Sequence, residues 1–266
     1  MASPSTAIAE PRNPAILLLG QIFFIARVVL LLLHLMSSLI LHGIWRIFGK
    51  TSPWPRYFLG GLAWLSGVRP KHIGTPVTTN VFYVSNHVSW VDIPTLSGET
   101  GCTFIAKGTL DDIPIVGWLC RLNNTIFVAR EDRLGVGKQI DMIRAAIDGH
   151  QPVTIFPEGT THDAQSLLPF KPSLFQVLSP PPRPMLVQPV YLNYGPKTPQ
   201  MAWLGDESAI RNFWRLLSRI RPLEAKIHFL QPFDPAELGD RKAISAEVRS
   251  RIGLALESGR QQGLHL

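Results

Sequence analysis

The alternation of apolar and polar positions divides the chain into three stretches. Residues 1–13 are small and polar and read as a loose tail. From Pro14 to Phe48 almost every residue is apolar. Beyond Pro76, short runs rich in β-branched and aromatic residues recur at Val81–Ser85, Thr103–Lys107, Thr125–Val128, Val153–Phe156, Leu186–Leu192 and Lys226–Leu230. These runs predict strands. Helical patterns lie between several of them. In Arg133–Gly149, Leu134, Ile140, Ile143 and Ile147 share one side and Gly149 closes the helix. Leu167–Leu178, Asp206–Arg219 and Arg241–Ser258 are further predicted helices. Such alternation predicts an α/β fold, with a mostly parallel sheet flanked by helices. The expected division is a tail at 1–13, an apolar helical segment at 14–66 and the α/β unit at 67–266.

Arg27 splits the apolar stretch into twelve residues, Ala15–Ala26, and eighteen, Val28–Trp45. Eighteen helical residues span about 27 Å, close to the ~30 Å hydrocarbon core of a bilayer. A cleaved signal peptide fits poorly, because the preceding tail carries Glu10 and no small-x-small site follows the run. Arg27, His34, Ser38, His42 and Arg46 fall within about 120° of one another on a helix. Two placements therefore stay open. One is a helix or helix pair that spans the membrane. The other lies in the interface, or packs its polar stripe on protein. For a spanning helix, Arg46, Lys50 and Arg56 follow closely, and the positive-inside bias puts the remaining chain on the cytoplasmic side of the inner membrane. A core helix of a soluble protein would be shorter and less uniformly apolar.

Composition narrows the class. Of 266 residues, 45% are hydrophobic and 17% charged, against roughly 25% charged in an average protein. General disorder is excluded, and few charges remain to cover a fully polar surface. The formal charge of +7 suits an anionic partner, whether membrane, nucleic acid, or an acidic protein or ligand. Cys102 and Cys120 are the two cysteines, too few for a disulfide framework, and reduced thiols are expected. No His, Cys or Asp cluster has metal-ligand spacing. Arg211, Arg215 and Arg219 repeat every four residues beside Phe213, Trp214, Leu216 and Leu217. That basic amphipathic helix would rest on anionic lipid, dock an acidic carrier protein, or simply carry a solvated arginine face.

In α/β sheets, chemistry gathers at the carboxyl ends of strands. His87 and Asp92 follow the run Val81–Ser85 directly. A carboxylate that accepts a hydrogen bond from one imidazole nitrogen fixes the tautomer and frees the other nitrogen to take a proton. The spacing alone is common, and a helix cap with a surface carboxylate explains it equally well. The surrounding residues are more specific. The pattern Asn-His-x4-Asp at Asn86, His87 and Asp92 resembles the first motif of the glycerolipid acyltransferase family, which includes the bacterial lysophosphatidic acid acyltransferases. Lys107, Pro114, Gly117, Phe127 and Arg130 resemble the second motif. Phe156, Pro157, Glu158, Gly159 and Thr160, with Phe170 and Lys171, resemble the third. Val187, Gln188, Pro189 and Val190 resemble the fourth. The motifs stand in the family's order over roughly residues 81–195.

The resemblance implies an O-acyltransferase that moves a fatty acyl chain from an acyl thioester to the free hydroxyl of a lysolipid. Acyl-CoA and acyl-carrier protein are both possible donors, no cofactor or metal is implied, membrane lipids are the surroundings, and nucleic acid is not a partner. The implied acceptor is 1-acylglycerol-3-phosphate, giving phosphatidic acid, with lyso-ornithine lipid or another lysophospholipid as the alternative. His87 becomes the general base and Asp92 its orienting partner. Asn86, Arg130, Glu158, Gly159, Thr160, Thr161 and Lys171 become substrate-binding residues, with Arg130 and Lys171 facing an anionic headgroup. Two departures stand out. Asn124 occupies a place where the family often has Gly, and Asn tolerates positive φ. Thr161 stands where phosphatidic-acid-forming members commonly carry Arg, which opens the acceptor question because charge-assisted bonds to phosphate are strong.

Three rival assignments are weaker. A serine esterase would need a nucleophile such as Ser89, but the chain has no Gly-x-Ser-x-Gly elbow. A nucleotide site at Gly135, Gly137 and Lys138 lacks both the dinucleotide and the P-loop spacing. An inert lipid-binding membrane protein would have little reason to keep the motif residues.

Overall fold

The computed structural model describes residues 14–128, Ile143, 151–205 and 207–263. Helix α1 (Pro14–Ile47) is followed by α2 (Trp54–Leu65), and then strands and helices alternate. They are β1 (Val68–Ile73), β2 (Val81–Ser85), α3 (Asp92–Thr100), β3 (Thr103–Lys107), α4 (Pro114–Leu122), β4 (Ile126–Val128), β5 (Val153–Ile155), β6 (Leu186–Asn193), α5 (Ala209–Leu217), β7 (Leu223–Phe229) and α6 (Arg241–Gly263). The seven strands form one sheet in the order β1-β7-β6-β2-β5-β3-β4. Every neighbouring pair is parallel except β6 and β7. The expected α/β architecture is therefore present.

β2 lies at the centre, and all five of its residues are buried. A strand covered on both faces reads as a continuous apolar run rather than an alternating one. Its pleat still sorts side chains. Phe82 and Val84 point into a core with Phe175, Ile244, Val248 and Ile252, whereas Val81 and Tyr83 point into a second core with Leu96 and Phe104. Ile143 is helical and joins the first of these cores; the rest of the predicted helix Arg133–Gly149 lies outside the described residues. α6 begins where the Asp240 carboxylate accepts from the amides of Lys242 and Ala243, an N-cap.

Sequence pattern and structure part company in three places. β1 gave no apolar signal, since only Val68 of its six residues is buried. It is an edge strand, where Pro70 costs no ladder bond. Residues 167–171 are not helical, and Pro172–Leu178 forms a 3-10 helix instead. Pro169 and Pro172 interrupt the segment, and the amide of Leu168 is drawn to Glu158 Oε2 at 2.9 Å. The arginine ladder of α5 is not a free basic face. Arg215 pairs with Glu207 and donates to the carbonyls of Gln200 and Ala202. Arg219 is pushed down to about 10 by burial and by the nearby Arg27 and Arg215 charges.

α1 is one helix of 34 residues, about 51 Å long. It is long and apolar enough to cross a membrane. Its polar stripe faces protein. Arg27 donates to the carbonyls of Leu217 and Arg219 at 2.8 and 2.6 Å. His34 meets the carbonyl of Phe58 at 3.2 Å and stacks on that ring. His42 meets Ser52 Oγ at 2.9 Å. Gly20 sits so close to α5 that a Cβ there would lie 3.3 Å from the carbonyl of Ser218. The outer face, with Leu18, Ile22, Ile25, Leu32, Leu33 and Met36, is exposed. Arg27, His34, Ser38 and His42 of the stripe are thus packed on protein, whereas Arg46 is exposed. An uncovered apolar face of this extent fits association with a membrane.

Candidate active site

The carboxyl end of β2 carries the first predicted pair. Asp92 is the first residue of α3 and has no exposed surface. Its Oδ2 accepts from the amides of Val88 and Ser89 at 2.6 and 2.9 Å and meets His87 Nδ1 at 2.9 Å. Its Oδ1 accepts from the hydroxyl of Tyr194 at 2.5 Å. Four donors and a helix N-terminus thus compensate the buried charge. With Nδ1–H committed to Asp92, the lone pair of His87 sits on Nε2. The His87 side chain is 15% exposed, and its ring stacks on Phe156 at 4.0 Å and 13°. Phe156 stacks in turn on Phe104. Aspartate on one edge and aromatic rings on one face leave the imidazole little freedom.

The β5 end supplies the second group. Glu158 is buried, and its Oε1 accepts from the amide of His87 at 3.1 Å while Oε2 takes Leu168. Burial pushes its carboxyl above the usual range, while the Leu168 and His87 amides and the nearby His162 and His87 pull it back. The carboxylate braces three chain segments around His87. The amide of His162 donates to the carbonyl of His87 at 2.8 Å, so the β5 loop holds His87 from two sides. Gly159 has φ +72°, a left-handed backbone conformation that favours glycine.

The remaining predicted residues separate into groups. Asn86 is buried and spends both ends of its amide on Leu192, receiving 2.7 Å from the amide and donating 3.1 Å to the carbonyl. It clamps β2 to β6 rather than presenting a donor to solvent. Thr160 is exposed. Thr161 Oγ1 donates to the carbonyl of Trp203 at 2.6 Å. Lys171 is exposed and lines a cavity of about 630 Å³ with Glu158, Leu168, Phe170, Arg241 and Lys242. Arg130 lies outside the described residues. Asn124 does adopt positive φ, at 57°. Both cysteines are free, and burial pushes the Cys102 thiol up to about 11.

Tyr194 was not predicted. It stands just past β6, at the same sheet edge as His87. Burial and the Asp92 charge push its hydroxyl well above the usual tyrosine range, which keeps it a donor. The strand-end rule that singled out His87 applies to it equally; an isolated Tyr simply carried no motif. His162, paired with Asp163 at 3.0 Å, likewise carries no motif of its own, though it follows Thr161 directly.

Chemically, the pair can accept a proton from a hydroxyl at Nε2 and return it to a leaving group. Ser89 has no exposed surface, so it is not placed to serve as an enzyme nucleophile. Comparison with known proteins gives the family. The acyltransferase family profile matches residues 70–193. A lyso-ornithine lipid O-acyltransferase of Rhodobacter capsulatus is 32% identical over 197 residues, covering 70% of this chain and 71% of that one. A 1-acyl-sn-glycerol-3-phosphate acyltransferase of Neisseria gonorrhoeae is 30% identical over 178 residues, covering 65% and 68% respectively. The crystal structure of the 1-acyl-sn-glycerophosphate acyltransferase of Thermotoga maritima shares the fold, with a TM-score of 0.64 at 22% identity over 92% of this chain and 95% of that one. The matched region contains the strand ends that hold His87, Asp92 and Glu158, and with this identity over 71% of a relative the chain belongs to the acyltransferase family and is an acyltransferase.

Proposed function

We propose that the protein transfers a fatty acyl group from an acyl thioester to the free hydroxyl of a lysolipid at the inner face of the cytoplasmic membrane, and that a zwitterionic acceptor of the lyso-ornithine type suits its site best. In this scheme His87 Nε2 removes the hydroxyl proton as the oxygen attacks the thioester carbonyl carbon. The C–S bond of the tetrahedral intermediate then breaks, and the thiolate takes the proton back from Nε2. Asp92 holds the tautomer and the imidazolium charge throughout. Products are the new ester and the free thiol. Proximity and one base suffice for a thioester.

The observation that carries the acceptor choice is Thr161. Its hydroxyl is spent on Trp203, so this position offers no cation to a phosphate. The neighbouring His162–Asp163 pair brings a carboxylate beside it instead, a partner for the ammonium of an ornithine headgroup. The Rhodobacter relative supports the same choice. Lysophosphatidate is the second candidate, favoured by the Neisseria relative and by exposed Lys171. Arg46 and Lys50, at the end of α1, suit the anionic lipid of a cytoplasmic leaflet.

Purified protein should be assayed with lyso-ornithine lipid and with lysophosphatidate, each offered with acyl-CoA and with acyl-carrier protein. The expected outcome is at least roughly tenfold higher kcat/KM for the lyso-ornithine acceptor, equivalent to ~1.4 kcal/mol of differential transition-state binding. Exclusive use of lysophosphatidate would refute the acceptor assignment. His87→Ala should abolish transfer to either acceptor; a fully active variant would refute the base.

A further inference from the structure

α4 departs from what a sheet-covering helix does. Crossover helices bury their apolar side chains, yet among the nine residues of α4 only Gly117 is buried. Ile113, just before the helix, and Ile115, Val116 and Trp118 within it are 47%, 68%, 40% and 42% exposed. The segment is nevertheless tightly held. A Cβ on Gly117 would lie 2.4 Å from the carbonyl oxygen of Asp111, so the preceding loop is folded directly against the helix. Arg121 pairs with Asp111 across the same turn. The apolar side is thus held outward by fixed contacts on the inner side.

Topology says what lies beside it. The connections β2-α3-β3 and β3-α4-β4 join parallel strands and step in the same direction along the sheet. Right-handed crossovers then put α3 and α4 on the same face. α2 packs on α3, with Gly60 and Gly98 in backbone contact, and α1 packs on α2. At the far end, His42 and Arg46 of the α1 segment line one cavity with Leu122, Asn123 and Asn124 from the end of α4. α4 therefore lies on the same side of the sheet as the α1–α2 layer, with its last residues beside the end of α1. Its first residues follow β3, at the sheet edge that carries His87.

We infer that α4 is a second lipid-inserting element, which enters the interfacial zone of the bilayer beside α1 and holds the site's edge of the sheet at the membrane surface. The occupant is lipid rather than an acidic carrier protein. Asp111 and Asp112 precede the helix, and the one cation of α4 itself, Arg121, is already paired with Asp111, so the helix face offers apolar side chains rather than charge to a partner. Ile, Val and a Trp on a short helix are the composition of an interfacial anchor. The inference rests on the membrane-lipid substrate proposed above.

The test uses the full chain and vesicles of phosphatidylethanolamine and phosphatidylglycerol. Ile115→Ser with Val116→Ser should lower partition onto vesicles roughly tenfold, as expected for removing several methyl groups from lipid contact, with thermal unfolding unchanged because both positions are exposed. Trp118→Phe should remove a measurable part of the tryptophan quenching produced by bromine-labelled phospholipid. Equal partition together with equal quenching would overturn the inference. So would a dimer that the double substitution dissociates, which would make a second copy the occupant, or a loss confined to the use of acyl-carrier protein with vesicle binding intact. Vesicle binding is scored without turnover, so an active His87→Ala protein would remove the catalytic proposal and leave this result separately readable.

Discussion

At the scale of single residues, the site is built around a carboxylate that no solvent reaches. Asp92 takes three protein donors besides His87, and Tyr194 is the only one of those three from a distant part of the chain. Removing that donor leaves Oδ1 buried and short of a partner, which costs about 1.5–3 kcal/mol when the acceptor is charged. Tyr194→Phe is expected to lower unfolding free energy by about that amount in urea titrations, and to reduce kcat more than it raises KM, because the hydroxyl touches Asp92 and not the lipid. The adjacency of His87 and Asp92 was legible in the sequence because both lie on one short stretch. The Tyr194 contact joins positions 102 apart in the chain, so no local pattern could reveal it. The same holds for Thr161. Its identity was visible, but its bond to Trp203 depends on how two loops meet.

Secondary-structure elements show where period and propensity suffice and where packing overrides them. β2 and β6 were legible because central strands are apolar on both faces. β1 was not, since an edge strand needs little burial. The helix pair α2 and α3 meets through Gly60 and Gly98. A Cβ on Gly98 would lie 2.4 Å from the Gly60 Cα, and neither backbone can yield cheaply. Gly98→Ala improves helix propensity by about 1 kcal/mol but forces the helices apart, at a cost of about 1–3 kcal/mol. The expected net result is a lower Tm, with the double change to Ala at both glycines lower still, read by thermal denaturation. This close approach also fixes how α1, which packs on α2, sits on the domain.

For the molecule as a whole, the apolar N-terminal segment is tied to the rest of the fold by hydrogen bonds along its polar side. Arg27, His34 and His42 fasten it to α5, α2 and the turn at Ser52, while Leu33 and Met36 point away from the domain. Leu33→Glu with Met36→Glu should therefore strip the protein from vesicles while leaving its far-UV circular dichroism and Tm near those of the unchanged chain. Retained vesicle binding at moderate salt would mean that the outer face of α1 is not the lipid contact.

The sequence by itself determined the class of fold, the long apolar helix with its polar stripe, and the His-Asp pair with the motif residues around it. Each of these is written in neighbouring positions, in a period of two or 3.6, or in short fixed spacings, and so survives without a partner strand or helix in view. Tertiary structure alone decided that the stripe of α1 rests on protein, that Tyr194 completes the cage of Asp92, that Asn86 is a clamp, that Arg215 and Arg219 turn inward, and that α4 keeps its apolar side uncovered. In each of these cases a side chain's role follows from which distant segment it meets, and long-range contact depends on the packing of whole elements rather than on local order.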